Sequence, residues 1–178
     1  SERVLSVATT GNFFRFTGVS PRLGRGFTDD EDIPEREPRA VVITDACWQR
    51  LFDGDPGVIG RTVRLNGESF AIVGVLPAGY RGVMPLGQPD LYVAISPTLL
   101  PRLRERANAN GFTTIARLRE GETIEQAQLA VNQLGRELEQ QYPTVNAGMD
   151  EPAAVYPIGE MALRGAPREL AIVPIVVM

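Results

Sequence analysis

The sequence predicts an α+β protein: a β-sheet with helices on one face, and a smaller α/β piece carrying a β-hairpin inserted into its middle. Three observations support this. The elements run strand, helix, a middle module with its own hairpin, then strand, helix and strand. Asn66-Gly67 sits between alternating apolar residues in "VRLNGESFAIVGV", the pattern of a two-residue turn whose central positions need positive φ. Near the C-terminal end, "TIEQAQLAVNQLGRELEQQYP" repeats its apolar residues at intervals of three and four. At 178 residues the chain can fill one domain, or two small subdomains that share a core.

Taken in order, "RVLSVAT" places Val4, Ser6 and Ala8 on one side and Leu5 and Val7 on the other, as in a strand. "TTGNFFRFTGV" reads as a short helical turn that Thr10 can cap and Gly18 can stop, with Phe13, Phe14 and Phe16 as its apolar face. "SPRLGRGF" reads as a loop. Its Gly24 and Gly26 are turn glycines, because a dinucleotide fingerprint needs a third glycine and a flanking strand and helix. "RAVVIT" is a β-branched strand. Thr44 or Asp45 can cap the helix that follows, in which Cys47, Trp48, Leu51 and Phe52 fall at helical spacing and Gly54 marks the end.

In the hairpin a two-residue turn sets Leu65 opposite Glu68 and Val63 opposite Phe70. Val63, Leu65, Phe70 and Ile72 then share a buried side packed on the Trp48 helix, and Thr62, Arg64 and Ser69 take the other side. Pro77 and Gly79 end the second strand. Residues 77–90 form a Pro- and Gly-rich loop holding Tyr80, Val83, Met84 and Leu86, either a contact surface or packing beneath the loop itself. "DLYVAIS" is a strand. Residues 97–111 suggest a short helix whose Arg102, Arg104 and Arg106 make a solvated face. "FTTIARLR" is a strand, and the helix after it opens on a capping box formed by Thr123 and Gln126. Its stripe of Ile124, Ala127, Val131, Leu134 and Leu138 is a core face, Pro143 ends it, and "PAAVYPIG" is the strand beyond it. From Leu170 to Met178 the chain carries no charge, far short of the ~20 apolar residues that cross a bilayer. That tail is either a final strand or the cut start of a membrane helix.

Composition excludes most familiar chemistry. All 18 basic residues are arginine, with no lysine and no histidine. Ser-His-Asp and Cys-His catalysis, Schiff-base lysines, the lysine of a phosphate-binding loop and histidine-ligated zinc are therefore ruled out. The formal net charge of −4 gives no overall attraction to nucleic acid. Cys47 lacks an internal partner and lies in a helical setting beside Trp48, as a packing residue does. The "DDED" run at 29–32, with Glu35 and Glu37 nearby, lacks the alternation and central glycine of a calcium loop and reads as a solvated acidic loop. No catalytic, cofactor-binding or metal-ligating residue is assigned, and no cofactor is expected.

"TTGNFFRFTGVSPRLGRGFTDDED", "AVVITDACWQRLFDGDPGVIGRTVRLNGESFAIVGVLPAGYRG" and "LRGAPRELAIVPIVVM" together resemble the MacB-like periplasmic core domain of ABC transporter permeases, with the nearest likeness to the FtsX-like, duplicated orphan permeases of that group. The resemblance covers nearly the whole chain, and "DPGVIGRTVRLNGESFAIVGV" is its most specific part. It implies a porter-like βαβ sheet-and-helix subdomain made of residues 1–38 and 89–165. It also implies a smaller inserted α/β subdomain at 39–88 and a tail at 166–178 that begins a truncated transmembrane helix, although Pro174 is awkward inside a helix.

The implied role is that of a non-catalytic extracytoplasmic domain at the inner membrane, on the periplasmic side, passing conformational change from membrane helices to substrate or partner handling in export, lipoprotein release or signalling. The implied partners are the permease's own transmembrane helices and an ABC ATPase acting through the membrane, with a second permease copy and a periplasmic adaptor or lipoprotein as further candidates. The residues alone leave two other readings open: a free-standing peptide- or protein-binding module, and a carboxylate-dependent hydrolase.

Overall fold

The computed structural model describes residues 2–32, 39–83, 88–95, 113–146, 153–158 and 175–177. It forms two compact units, Ser1–Gly82 with Gly87–Leu100 and Val83–Leu86 with Pro101–Met178.

The first unit is built on strands β1 (Ser6–Thr9), β2 (Leu23–Gly24), β3 (Arg39–Ile43), β4 (Thr62–Leu65), β5 (Glu68–Val75) and β6 (Leu91–Ala94), with helices α1 (Phe13–Thr17) and α2 (Asp45–Phe52). The sheet order is β1-β6-β3-β5-β2, with β4 also paired to β5. It is mixed: β1 runs parallel to β6 and β3 parallel to β5, while β3 meets β6, and β5 meets β2 and β4, antiparallel. "AVVI" in β3 and "LYVA" in β6 are buried throughout, as central strands covered on both faces must be. Val41, Ile43, Phe70, Ile72, Leu91 and Val93 pack on one face with Cys47 and Trp48 of α2. Ala40, Val42, Tyr92 and Ala94 pack on the other with Phe14 of α1 and with Phe27 and Leu76. Helices thus cover both faces of this sheet and not one, because residues of opposite parity in the central strands are equally apolar and each set needs cover.

The hairpin has the register that the turn dictates, Leu65 opposite Glu68 and Val63 opposite Phe70, with Asn66 at φ 51° and Gly67 at φ 89°. The pairing of β3 with β5 slips by one residue, from Val41 opposite Ile72 to Val42 opposite Gly74. Ile72 and the next residue, Val73, both turn to the same edge of β5: Ile72 N–H donates to Arg61 O at 2.9 Å, and Val73 O accepts from Arg25 N–H at 2.8 Å. This bulge changes the parity of the strand, so that Phe70, Ile72 and then Val75 face the α2 side. It also lets one edge of β5 serve β4 along its first half and β2 along its second. The loop expected at 20–27 therefore contains the short strand β2.

β6 lies between β1 and β3, so the hydrogen-bond ladder runs without a break across the expected boundaries at 38/39 and 88/89.

The second unit holds β7 (Thr114–Ala116), α3 (Ile124–Gln141), α4 (Pro143–Asn146), β8 (Val155–Pro157) and β9 (Ile175–Val177). Its three strands are parallel in the order β7-β9-β8. β7, α3 and β8 form a crossover with β9 between the two strands. Thr123 and Gln126 close the capping box, Gln126 N–H reaching Thr123 Oγ1 at 3.3 Å and Thr123 N–H reaching Gln126 Oε1 at 2.8 Å. No residue of α3 is buried, and Leu134, expected on the core face, is 53% exposed. Gln128 ties the helix to the sheet by donating to Ala153 O and accepting from Val155 N–H. In the apolar tail, for which the sequence leaves both a final strand and the cut start of a membrane helix open, Ile175, Val176 and Val177 are β-branched and form β9 between β7 and β8. The helix expected at 97–111, with Arg102, Arg104 and Arg106, lies outside the described residues.

Candidate functional site

The features singled out in the sequence fall into structural roles. Cys47 is 1% exposed inside the α2 face of the core, and burial, with a smaller contribution from nearby Asp90, pushes its thiol up to about 11. Burial likewise raises the phenols of Tyr80 and Tyr92. Trp48 donates its indole N–H to Asp55 O at 2.9 Å and carries the Arg22 guanidinium over its ring at 5.2 Å.

The acidic run does not converge. Asp29 takes a forked pair of bonds from Arg15, and Glu31, its side chain only 5% exposed, takes a forked pair from Arg25 and also accepts the Thr28 N–H. Glu31 is thus a buried ion-pair member and not part of a solvated loop. Glu35 and Glu37 lie outside the described residues. No group of three His, Cys, Asp or Glu side chains among the described residues is placed to hold a metal ion. Glu125 is pulled below the usual carboxylate range by its own backbone N–H and by Thr123, as befits the first turn of α3.

The loop after β5 is anchored by Tyr80, whose ring lies 6.1 Å from that of Tyr92. Phe13 stacks on Tyr92 at 5.9 Å, and Phe14 meets it edge-on at 5.5 Å. Of the two readings of this loop, Tyr80 follows packing; Met84 and Leu86 are outside the described residues. The α1 cap also differs from expectation: Asn12 occupies the N-cap position without a side-chain bond to the helix, and the Thr10 hydroxyl bonds Asn12 Oδ1 instead. Asp53, at φ 51°, closes α2 one residue before Gly54.

Asp90, a residue that sequence reasoning passed over as the last position of a loop, is a polar junction. Its N–H donates to Leu5 O at 2.8 Å, and its carboxylate accepts the Leu5 N–H at 2.9 Å. Its carbonyl accepts from Thr44 N–H at 2.9 Å and from the Thr44 hydroxyl at 3.1 Å. Arg50, in the last turn of α2, bonds both Asp90 and Glu2. The signal available was an aspartate directly before a fully apolar strand, where a side chain can still reach backbone donors.

The sequence model of the MacB-like periplasmic core domain matches residues 1–134. The chain belongs to that family. Over 78 residues it is 36% identical to the macrolide export ATP-binding/permease protein MacB of Chlorobaculum tepidum, a stretch covering 43% of this chain and 11% of that protein. The extracellular domain of the noncanonic ABC-type transporter YknZ from Gram-positive bacteria shares the fold at a TM-score of 0.50 and 16% identity, covering 78% of this chain and 65% of that one. The periplasmic region of MacB from Actinobacillus actinomycetemcomitans is similar at a TM-score of 0.48 and 16% identity, covering 75% of this chain and 55% of that one. This MacB-like domain is thus of the periplasmic kind found in ABC transporter permeases. Among the described residues no helix is long and apolar enough to cross a membrane.

Proposed function

We propose that this MacB-like domain is a non-catalytic mechanical module. It would pass conformational change between the membrane helices of an ABC permease and the handling of a substrate or partner outside the membrane, in export, lipoprotein release or signalling. The family match across residues 1–134 carries the reading. The structure supports it physically: ionisable side chains such as Arg15, Arg25, Asp29, Glu31 and Asp90 are spent on ion pairs and backbone donors, and the mixed sheet has a continuous ladder able to move as a body. ATP chemistry belongs to another domain or subunit, since no lysine is present for a phosphate loop. The partners under this reading are the permease's transmembrane helices and an ABC ATPase, with a second permease copy or a periplasmic adaptor as further candidates.

Thiol labelling tests it in the full-length permease with its ATPase. Leu129 is 67% exposed, and buried Cys47 gives little background. A Leu129→Cys variant should react with a membrane-impermeant maleimide added outside the cell, and its labelling rate should change during ATP turnover. Labelling only after the membrane is breached would overturn the placement. A rate indifferent to ATP at Leu129 and at a second probe, Glu139→Cys, would overturn the transmission.

A further inference from the structure

We propose that Asp90 and Arg50 form a latch fastening the lead-in segment Glu2–Leu5 to helix α2, so that a pull on the chain ahead of β1 reaches α2 as well as strand β6. The ladder alone couples β1 only to its neighbour, since β1 pairs with β6 in parallel register from Ser6 to Thr9. Asp90 adds a second route. One carboxylate oxygen holds the Leu5 N–H, and the other holds the Arg50 guanidinium, which also reaches Glu2. The Asp90 carbonyl meanwhile takes both donors of Thr44, whose side chain caps α2 through the Cys47 N–H. A single residue thereby grips α2 at its cap and at its last turn; the Arg50 side chain leans back toward the helix N-terminus, as helical side chains do.

An exposed ion pair would contribute little to such a link. Here the Asp90 side chain is only 22% exposed and also accepts a backbone N–H, a charge-assisted bond of the stronger kind. Residues 90 and 5 are 85 positions apart, so the latch closes the start of this unit onto its last strand. Local openings of such segments cost less than global unfolding, which suits an element meant to yield under load. The mechanical meaning of the latch rests on the proposed function; its existence does not.

Hydrogen exchange on the 178-residue chain tests it. In Asp90→Ala, amides from Arg3 to Val7 should exchange faster by about ten-fold, with a smaller rise from Arg50 to Phe52. Amides of Phe70–Val75 should not change. Arg50→Gln keeps the Asp90 backbone bonds and should speed exchange at Arg3–Leu5 while leaving Val7–Thr9 alone. Unchanged exchange at Leu5 in Asp90→Ala would overturn the latch. So would an Arg50→Gln variant indistinguishable from wild type, or a uniform rise across the first unit, which would make Asp90 a stability residue alone. This readout needs no ATP turnover, so its failure is distinguishable from failure of the labelling experiment.

Discussion

At the scale of single residues, the tightest constraint is the facing pair Gly24 and Gly74, opposite one another where β2 meets β5. A Cβ on Gly74 would stand 2.1 Å from Arg25 O, and one on Gly24 would stand 2.2 Å from Val73 O, both backbone atoms that cannot swing aside. Gly79, at φ 79°, has open space around the same atom. Two costs therefore separate. Gly79→Ala should lose about 1 kcal/mol for the left-handed backbone alone, whereas Gly74→Ala should lose about 3 kcal/mol, at the upper end for overpacking, because β2 must leave the sheet. Urea midpoints of the two variants check this, and equal losses would mean that β2 is not held as described. Of these features the sequence exposed only that Gly24 lay in a turn-rich stretch. The partner that makes glycine obligatory lies fifty residues away, and no local pattern carries that information.

At the scale of elements, what was legible followed local rules. Asn66-Gly67 fixed the turn and hence the register of β4 on β5, and Thr123 with Gln126 marked the start of α3. The Val73 bulge, β2 and the exposure of Leu134 were not legible, since each depends on a partner remote in sequence and not on periodicity. Thr10 failed as a cap for a local reason: Asn12 takes the N-cap position, and the Thr10 hydroxyl donates to Asn12 Oδ1. Because no α3 residue is buried, this helix leans on its ends more than α2 does. Thr123→Ala removes the half of the box in which the hydroxyl accepts the Gln126 N–H, keeps the backbone N–H of position 123 for Gln126 Oε1, and should cost about 1 kcal/mol. Exchange should rise through the first two turns of α3 and stay unchanged in β3 and β5. Protection that stays equal in the first turn would show that tertiary contacts, and not the cap, hold that end.

At the scale of the whole molecule, the α+β class and the family were readable because element order and motif spacing survive in sequence. The strand order was not readable, because β6, 48 residues beyond the end of β3, inserts between β1 and β3. The same burial that joins these strands on both faces of one sheet sets the molecule's response to pH. Cys47 on one face, and Tyr80 and Tyr92 on the other, are acids whose neutral forms are favoured by burial. Each therefore holds its proton more tightly in the folded chain than in the unfolded one. For Cys47 the unfolded thiol titrates near 9.0 and the folded one at about 11. Its stabilising contribution is whole below pH 9 and falls away as pH climbs from there through 11, because the unfolded state loses its proton first. A shift of this size corresponds to up to about 3 kcal/mol at the far end of that window. Urea unfolding followed from pH 7 to 11 should show stability declining above pH 9. Cys47→Ala should have a lower starting stability, from its cavity, but a shallower decline, with the tyrosines supplying what slope is left. Parallel curves for the two proteins would mean that the thiol is not desolvated and that the α2 face of the core opens to solvent at high pH before the sheet unfolds.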